Sequence, residues 1–525
     1  MAQFRGPTGG VFQRRANAEP SLGDKYWIVA ILVLAAVLRA VNLDASLWYD
    51  EVVTLVSYMD VPTADLFSVY QNLNNHIFFT IQAQVTTGLF GDTAWALRLP
   101  AVLMGLASIW ALWRLSFDVA GPWQARFAAL LMAVSYHHIW FSQNARGYTG
   151  LLFFALLGTW LLVCALRRPG WGIWCGYGLC IAAAMYTHLS AVFFFAAQGI
   201  GYALVVGWQA LSGGLANERE AISKRVLMPA VGCGLGIGIV AALYAPLVGQ
   251  MVETFSEVAT APESKAAAES IAQWDSPLWM LAEVASSLGP ELALLVPIVA
   301  AVAVIGGFGL RRGFDGVVPL TLALHIPLTV ALLVAFGFRV WPRYFLIDLG
   351  LICLLIISGA FYISRWASFF VGDRPYKYAS LFAVLACAGG IAASTVILPK
   401  NYLYPKQDYL GAAAYVEANK APGAVVMTIG LGSMPFQEHF APDWVRVDTL
   451  EEFEEADRPA TEVWAVYTFP KVVEHRHADI FAAMKPLSKG QVFAWNAERC
   501  GNRHPESRGW RGKVIGRQSC PGRFG

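Results

Sequence analysis

Charge is scarce in this 525-residue chain: Asp, Glu, Lys and Arg together make up 14% of it, against about a quarter in an ordinary soluble domain. Neither sign dominates, with 38 Lys and Arg against 36 Asp and Glu, so no basic surface for a nucleic acid is expected. Cysteine is rare too. Six of the eight (Cys164, Cys175, Cys180, Cys233, Cys353 and Cys387) sit in apolar runs without metal-ligand spacing, which speaks against a zinc module or a disulfide scaffold. The C-terminal part has no phosphate-binding signature of the Gly-x-Gly-x-x-Gly kind, so nucleotide binding is not expected there. No internal repeat is evident.

What the chain has in quantity is apolar surface. Hydrophobic residues account for 57%, including 19 Trp and 31 Phe, the composition of a polytopic membrane protein. Apolar runs lie at 26–43, 97–117, 127–141, 148–166, 171–187, 189–211, 226–249, 290–310, 317–337, 344–364 and 378–398, and several approach the roughly 20 residues that a bilayer requires. That predicts eleven spans. The segment 76–90 is shorter and more polar, and charge bias assigns it. If it lies in the interface, then Arg114 and Arg126, Arg167 and Arg168, Arg219, Lys224 and Arg225, Arg311 and Arg312, and Arg365, Arg374 and Lys377 all share the side of the basic residues 1–25, read as a cytoplasmic tail.

Between the first and second spans two outer helices are expected, near 49–60 and 76–90. In the first, Asp50, Thr54, Ser57, Tyr58 and Glu51 share one arc at about 100° per residue, and Val52, Val53, Leu55, Val56 and Met59 fill the other. This is the pattern of a helix along a membrane surface, with two adjacent carboxylates at the water boundary. The outer face then collects Asp50, Glu51, His76, Arg98, His137, His138, Arg146, His188, Glu253, Glu257, Arg339 and Arg343. Ionisable groups at such a boundary usually face a cavity or a partner. The polar stretch 250–289 reads as a long outer loop.

After Pro399 the composition turns charged, and 400–525 is expected to form a small α/β domain on the outer side. Strands are expected at 425–429 and 463–467, with helices near 407–419 and 471–484. Cys500 and Cys520 are the cysteines of this exported part, and a disulfide between them is plausible in an oxidising compartment.

A transferase with an outward site has no access to cytoplasmic nucleotide sugars, so it would need a lipid-carried donor. Transfer of a sugar from a lipid phosphate needs a base for the acceptor hydroxyl and positive charge for the departing phosphate. The chain also resembles a known group on specific motifs, in order: Leu47-Trp48-Tyr49-Asp50-Glu51, Asn74-Asn75-His76, Ala96-Leu97-Arg98-Leu99-Pro100, Ser142-Gln143-Asn144-Ala145-Arg146-Gly147-Tyr148, Arg343-Tyr344 and Lys406-Gln407-Asp408. Together these resemble the GT-C superfamily of polyprenyl-phosphate-sugar glycosyltransferases, in the branch near protein O-mannosyltransferases and lipid A aminoarabinose transferases. The resemblance implies a GT-C fold with about eleven transmembrane helices, inverting transfer, and an acidic residue of the first outer loop at the catalytic centre. It also implies a polyprenyl-phosphate donor, an extracytoplasmic acceptor (glycolipid, polysaccharide or protein) and a bacterial inner-membrane location.

Two departures matter. His76-Ile77-Phe78 stands where relatives often have His-Pro-Pro, and Gln143-Asn144-Ala145-Arg146 where many have Gln-Glu-Ala-Arg. The second removes a carboxylate that would help bind a cation, so no metal or other cofactor is expected, although Asp50, Glu51 and His76 carry suitable donor atoms.

Asp50 is therefore the expected general base. Glu51 is either its acceptor-orienting partner or a structural hydrogen-bond acceptor. His76, Arg98, Arg146, Tyr148, Arg339, Arg343 and Tyr344 are expected to bind substrate, the arginines because guanidinium forks match phosphate oxygens. Two rival readings are a membrane transporter or lipid flippase and a non-catalytic anchor presenting the C-terminal domain. A transporter would carry ionisable or broken elements near mid-span and often related halves. An anchor leaves the upstream carboxylates and arginines unexplained.

Overall fold

The computed structural model describes residues 19–70, 75–212, 223–260, 296–311, 313–335, 340–368, 375–403, 406–458, 462–468, 470–484, 489–494 and 511–518. Arg339, Cys500, Cys520 and most of the 250–289 stretch lie outside them; its beginning lies in a helix, Val248–Thr260.

Seven described helices are long and apolar enough to cross a membrane: Ala94–Val119 (α4), Tyr148–Arg167 (α7), Ala191–Leu211 (α9), Ser223–Tyr244, Gly313–Ala335, Pro342–Ala367 and Tyr378–Leu403. These are seven of the eleven expected runs, and the other four fall short among the described residues for identifiable reasons. The first run forms Leu22–Ala40 (α1), capped by Ser21, whose hydroxyl accepts from the Asp24 N–H, but it carries Asp24, Lys25 and Arg39. Trp171–Thr187 (α8) has 17 residues and Val296–Leu310 has 15. The run 127–141 is broken into Pro122–Ala133 (α5) and Tyr136–Ser142 (α6). At that break the Val134 carbonyl accepts a bond from the Ser394 hydroxyl at 3.1 Å instead of continuing a helix.

In lipid, apolar contact alone does not draw helices together, so close packing must. Glycine supplies it twice. A Cβ on Gly178 of α8 would lie 2.0 Å from the Gly232 carbonyl oxygen, and one on Gly306 would lie 2.0 Å from that of Leu355. Backbones therefore touch in both helix pairs. The largest apolar core joins α4, α5, α7 and α8 with the helix Leu349–Ala367.

Helices form at both places expected after the first apolar run, as Tyr49–Tyr58 (α2) and Ile77–Phe90 (α3). The polar arc of α2 is not solvated, however: Glu51, Thr54 and Tyr58 are all buried. It is turned into the protein, against the corner that leads into α7, because those groups find partners there.

The C-terminal region is an α/β sheet in the order β2-β1-β3-β5-β4. Val425–Ile429 (β1) and Glu462–Thr468 (β3) are the two expected strands, and they pair in parallel. Val445–Val447 (β2), Lys489–Ala494 (β4) and Arg511–Gln518 (β5) are additional. The expected helices appear as Tyr409–Asn419, Pro470–Arg476 and Ala478–Met484.

Candidate active site

Helix α2 has only ten residues, too few to be stable alone, and its first turn is held from several directions. The Glu51 side chain reaches back to accept the Trp48 N–H at 3.3 Å, and the Gln407 side-chain oxygen accepts the Tyr49 N–H at 2.8 Å. Both satisfy donors that a helix start leaves open.

Glu51 is wholly buried and its oxygens are taken. Arg98 donates from Nε to Oε1 at 2.8 Å and from Nη2 to Oε2 at 2.6 Å, and the Ala145 N–H donates to Oε1 at 2.8 Å. Burial opposes ionisation here, but the charges of Arg98 and Lys406 and these hydrogen bonds prevail and hold the Glu51 carboxyl below its usual range. Arg98 spends its remaining donors on the carbonyls of Leu43, Ala45 and Ser46. It has no donor left for a phosphate. Glu51 and Arg98 thus form a buried clasp of the loop between α1 and α4, and the structure places Arg98, expected to bind substrate, with all of its donors already taken.

Asp50, one residue earlier, faces elsewhere. Its Oδ2 has no hydrogen-bond partner among the described residues and lies 3.8 Å from Arg146 Nη1 and 3.7 Å from Arg343 Nη1. Arg146 is buried, and its Nε and Nη1 likewise lack hydrogen-bond partners. Its Nη2 lies 3.0 Å from His76 Nε2, while the Gly147 N–H points at Nδ1 from 3.0 Å. A neutral imidazole offers one lone-pair nitrogen, so it accepts only one of these two donors at a time. Arg146 is consequently an under-satisfied buried cation, the state that an incoming anion relieves.

Aromatic rings complete the wall. His76 packs edge-on against Tyr148 and His188, with centroids at 5.0 and 4.8 Å, and His188 lies 6.0 Å from the Tyr344 ring. Arg343 sits over Trp341 at 4.9 Å. Burial, then Arg146, His188 and Arg343, drives the His76 pKa well below its usual value; burial, Arg146 and Arg343 push His188 down to about 3. Both imidazoles are neutral around pH 7. Gly147 makes the docking of His76 possible, since a Cβ there would lie 2.9 Å from His76 Nδ1.

Of the expected residues, then, Asp50, His76, Arg146, Tyr148, Arg343 and Tyr344 come together. Among the described residues no three His, Cys, Asp or Glu side chains converge as a metal site.

This fold is shared with solved structures. ArnT from Cupriavidus metallidurans in the apo state is 13% identical, with a TM-score of 0.55 over 94% of this chain and 98% of that one. The apo oligosaccharyltransferase from Archaeoglobus fulgidus is 11% identical, with a TM-score of 0.54 over 90% of this chain and 74% of that one. ArnT bound to undecaprenyl phosphate matches with a TM-score of 0.51 at 13% identity, over 94% and 98%. No curated protein sequence matches the chain. Residues 77–213 match the family model described as dolichyl-phosphate-mannose-protein mannosyltransferase. The chain shares the fold of ArnT, and over residues 77–213 it is similar to a family of glycosyltransferases named for a lipid-phosphate sugar donor.

Two features escaped the sequence reading of the site. The first is the contact of Lys406 and Gln407 with the start of α2 and with Gln143, for which the Lys-Gln-Asp motif was the available signal. The second comprises two buried polar clusters among the membrane helices. Arg39 contacts His138 and donates to Ser142 at 3.1 Å, and His325 Nδ1 lies 2.8 Å from Asp348. His138 therefore belongs to a helix-packing network and not to the site.

Proposed function

We propose that this protein is an inverting glycosyltransferase that moves a sugar from a polyprenyl phosphate to an acceptor at the outer face of a bacterial inner membrane, with Asp50 as general base. The observation that carries this reading is the unsatisfied Asp50 Oδ2 between the guanidinium groups of Arg146 and Arg343. One carboxylate flanked by two cations supplies both halves of the chemistry.

The acceptor oxygen attacks the anomeric carbon as the bond from that carbon to the phosphate oxygen breaks. The acceptor proton goes to Asp50, and the electron pair stays on the departing lipid phosphate, whose added negative charge Arg146 and Arg343 meet. A single displacement inverts the anomeric centre. In the free enzyme Asp50 is the carboxylate facing these arginines; the donor phosphate takes over that role and leaves Asp50 to the acceptor. Tyr148, Tyr344 and neutral His76 and His188 offer ring faces and edges beside the sugar.

The outward placement rests on the positive-inside pattern. Counting α1, α8, Val296–Leu310 and the broken α5–α6 pair with the seven long helices restores eleven spans and keeps the basic clusters on one side. Residues 400–525 then share the outer side with Asp50. Labelling from outside intact cells should modify Ala418→Cys and not Arg168→Cys, and the reverse pattern overturns the orientation.

The test of the base is single-turnover transfer at saturating polyprenyl-phosphate sugar. Asp50→Asn keeps the shape but cannot take the proton, so transfer should fall about 10²–10⁴-fold with donor affinity nearly unchanged. Near-normal transfer removes Asp50 from the mechanism.

A further inference from the structure

The C-terminal region grips the same ten-residue helix that carries Asp50. Gln407, just past the last long helix, is buried and accepts the Tyr49 N–H at 2.8 Å, in the first turn of α2 and one residue before Asp50. Tyr49 packs against the apolar cluster of the C-terminal region that includes Tyr409, Ala412 and Phe436. Met434 and Phe440 of that region join the apolar cluster that contains Val52 and Leu55 of α2 and the flanking Leu47 and Met59. Its neighbour Lys406 holds the second element of the site. The Lys406 ammonium donates to the Gln143 carbonyl and lies 4.9 Å from the Trp140 ring, at the corner that continues through Asn144 and Ala145 into Arg146. Asn401 donates to the Gln143 side-chain oxygen at 2.7 Å.

We propose that Gln407 is a positioning residue for the transfer reaction, fixing the first turn of α2 so that Asp50 stands correctly against Arg146 and Arg343. Through it the C-terminal region is a working part of the active site and not a separate module carried by the membrane region. The physical reason lies in α2 itself. A helix this short has no rigidity of its own. Its start is clasped on the membrane side by Glu51 with Arg98, and on the other side the tie to its first turn is Gln407. Release of that tie leaves the Tyr49 N–H unsatisfied and lets the turn bearing Asp50 rock about the Glu51 clasp. Displacements of about 1 Å at a reacting group suffice to lower turnover about 100-fold.

The inference rests on Asp50 being the base, and the experiment separates the two. Gln407→Met keeps length and bulk but loses the acceptor oxygen; Gln407→Glu keeps an oxygen where the Tyr49 N–H points. Single-turnover transfer and donor affinity are measured for both, beside Asp50→Asn, in purified full-length protein. Gln407→Met should lower the transfer rate about 10- to 100-fold with donor affinity held within about threefold, and Gln407→Glu should recover most of that loss. Should Gln407→Met fail to fold, Gln407→Asn, which withdraws the oxygen by one methylene, should show the same selective loss. Wild-type transfer by the folded Met or Asn variant, with Asp50→Asn inactive, overturns the positioning role and leaves the base intact. An equal loss in the Met and Glu variants also overturns it, because the oxygen then plays no part. Wild-type transfer by Asp50→Asn instead removes the base reading itself.

Discussion

Glu51 and Arg98 are joined by two hydrogen bonds, Nε to Oε1 at 2.8 Å and Nη2 to Oε2 at 2.6 Å, and neither side chain is exposed to solvent. One step along α2, Asp50 meets two arginines only at 3.7 and 3.8 Å. About 100° of helix rotation separates the two carboxylates and gives them different work. Glu51 closes the loop that Asp50 needs in order to be presented.

Removal of the Glu51 charge leaves Arg98 buried and uncompensated. Glu51→Gln should therefore lower stability by about 3–5 kcal/mol, the usual consequence of breaking a buried pair from one side. Unfolding followed in detergent measures this, and stability equal to wild type would show the clasp to be dispensable.

At the phosphate end, Lys retains charge but not the guanidinium fork. Arg146→Lys and Arg343→Lys should each lower single-turnover transfer, with Arg146 the more sensitive because its side chain is 4% exposed against 36% for Arg343. A loss of about 10²–10³-fold is expected for Arg146, comparable to removal of one oxyanion donor. Competition by unglycosylated polyprenyl phosphate reports the ground-state share of the effect. Unchanged transfer in both variants would move leaving-group stabilisation elsewhere.

Gly147→Ala tests the docking of His76. The added Cβ would lie 2.9 Å from His76 Nδ1 and 2.6 Å from Thr187 Cγ2, so the imidazole must shift. Stability should drop by about 1–3 kcal/mol, as in other overpacked sites, and transfer should fall further than that drop explains. Gly172→Ala, at a position with open space around it, serves as the control and should behave as wild type.

Acid should destabilise the fold through His188. Its pKa is pushed down to about 3 in the folded protein by burial and by Arg146 and Arg343, against about 6.5 in an unfolded chain. The unfolded state then binds the extra proton as the pH falls below about 6.5, so the stability present above that value is lost progressively towards pH 3. His76, whose pKa is shifted the same way, adds to the slope. Thermal unfolding in detergent between pH 7 and 4 should give a shallower dependence for His188→Asn than for wild type. Identical slopes would mean that His188 titrates normally in the fold.

The membrane class, helices α2 and α3, strands β1 and β3 and the ordered motifs were legible in the sequence. Each is a local pattern: apolar length, a 3.6-residue period, a β-branched run, or a few consecutive side chains. Span counting was less exact where local detail intervened. Asp24, Lys25 and Arg39 interrupt the apolar character of α1, and the chain breaks between α5 and α6 where Ser135, His137 and His138 interrupt the apolar run.

Composition, periodicity and motif order by themselves determined that this chain is a polytopic membrane protein with two adjacent carboxylates in the loop after its first apolar helix and motifs resembling those of lipid-phosphate glycosyltransferases. Which carboxylate is free, that Arg98 closes a loop, that the polar arc of α2 turns inward and that Gln407 reaches the turn bearing Asp50 were decided only by tertiary structure. The reason is physical: adjacent carboxylates are equivalent in sequence until burial and partners distinguish them. Those partners lie 47 residues away for Glu51 and Arg98 and 358 residues away for Tyr49 and Gln407, separations that no local pattern spans.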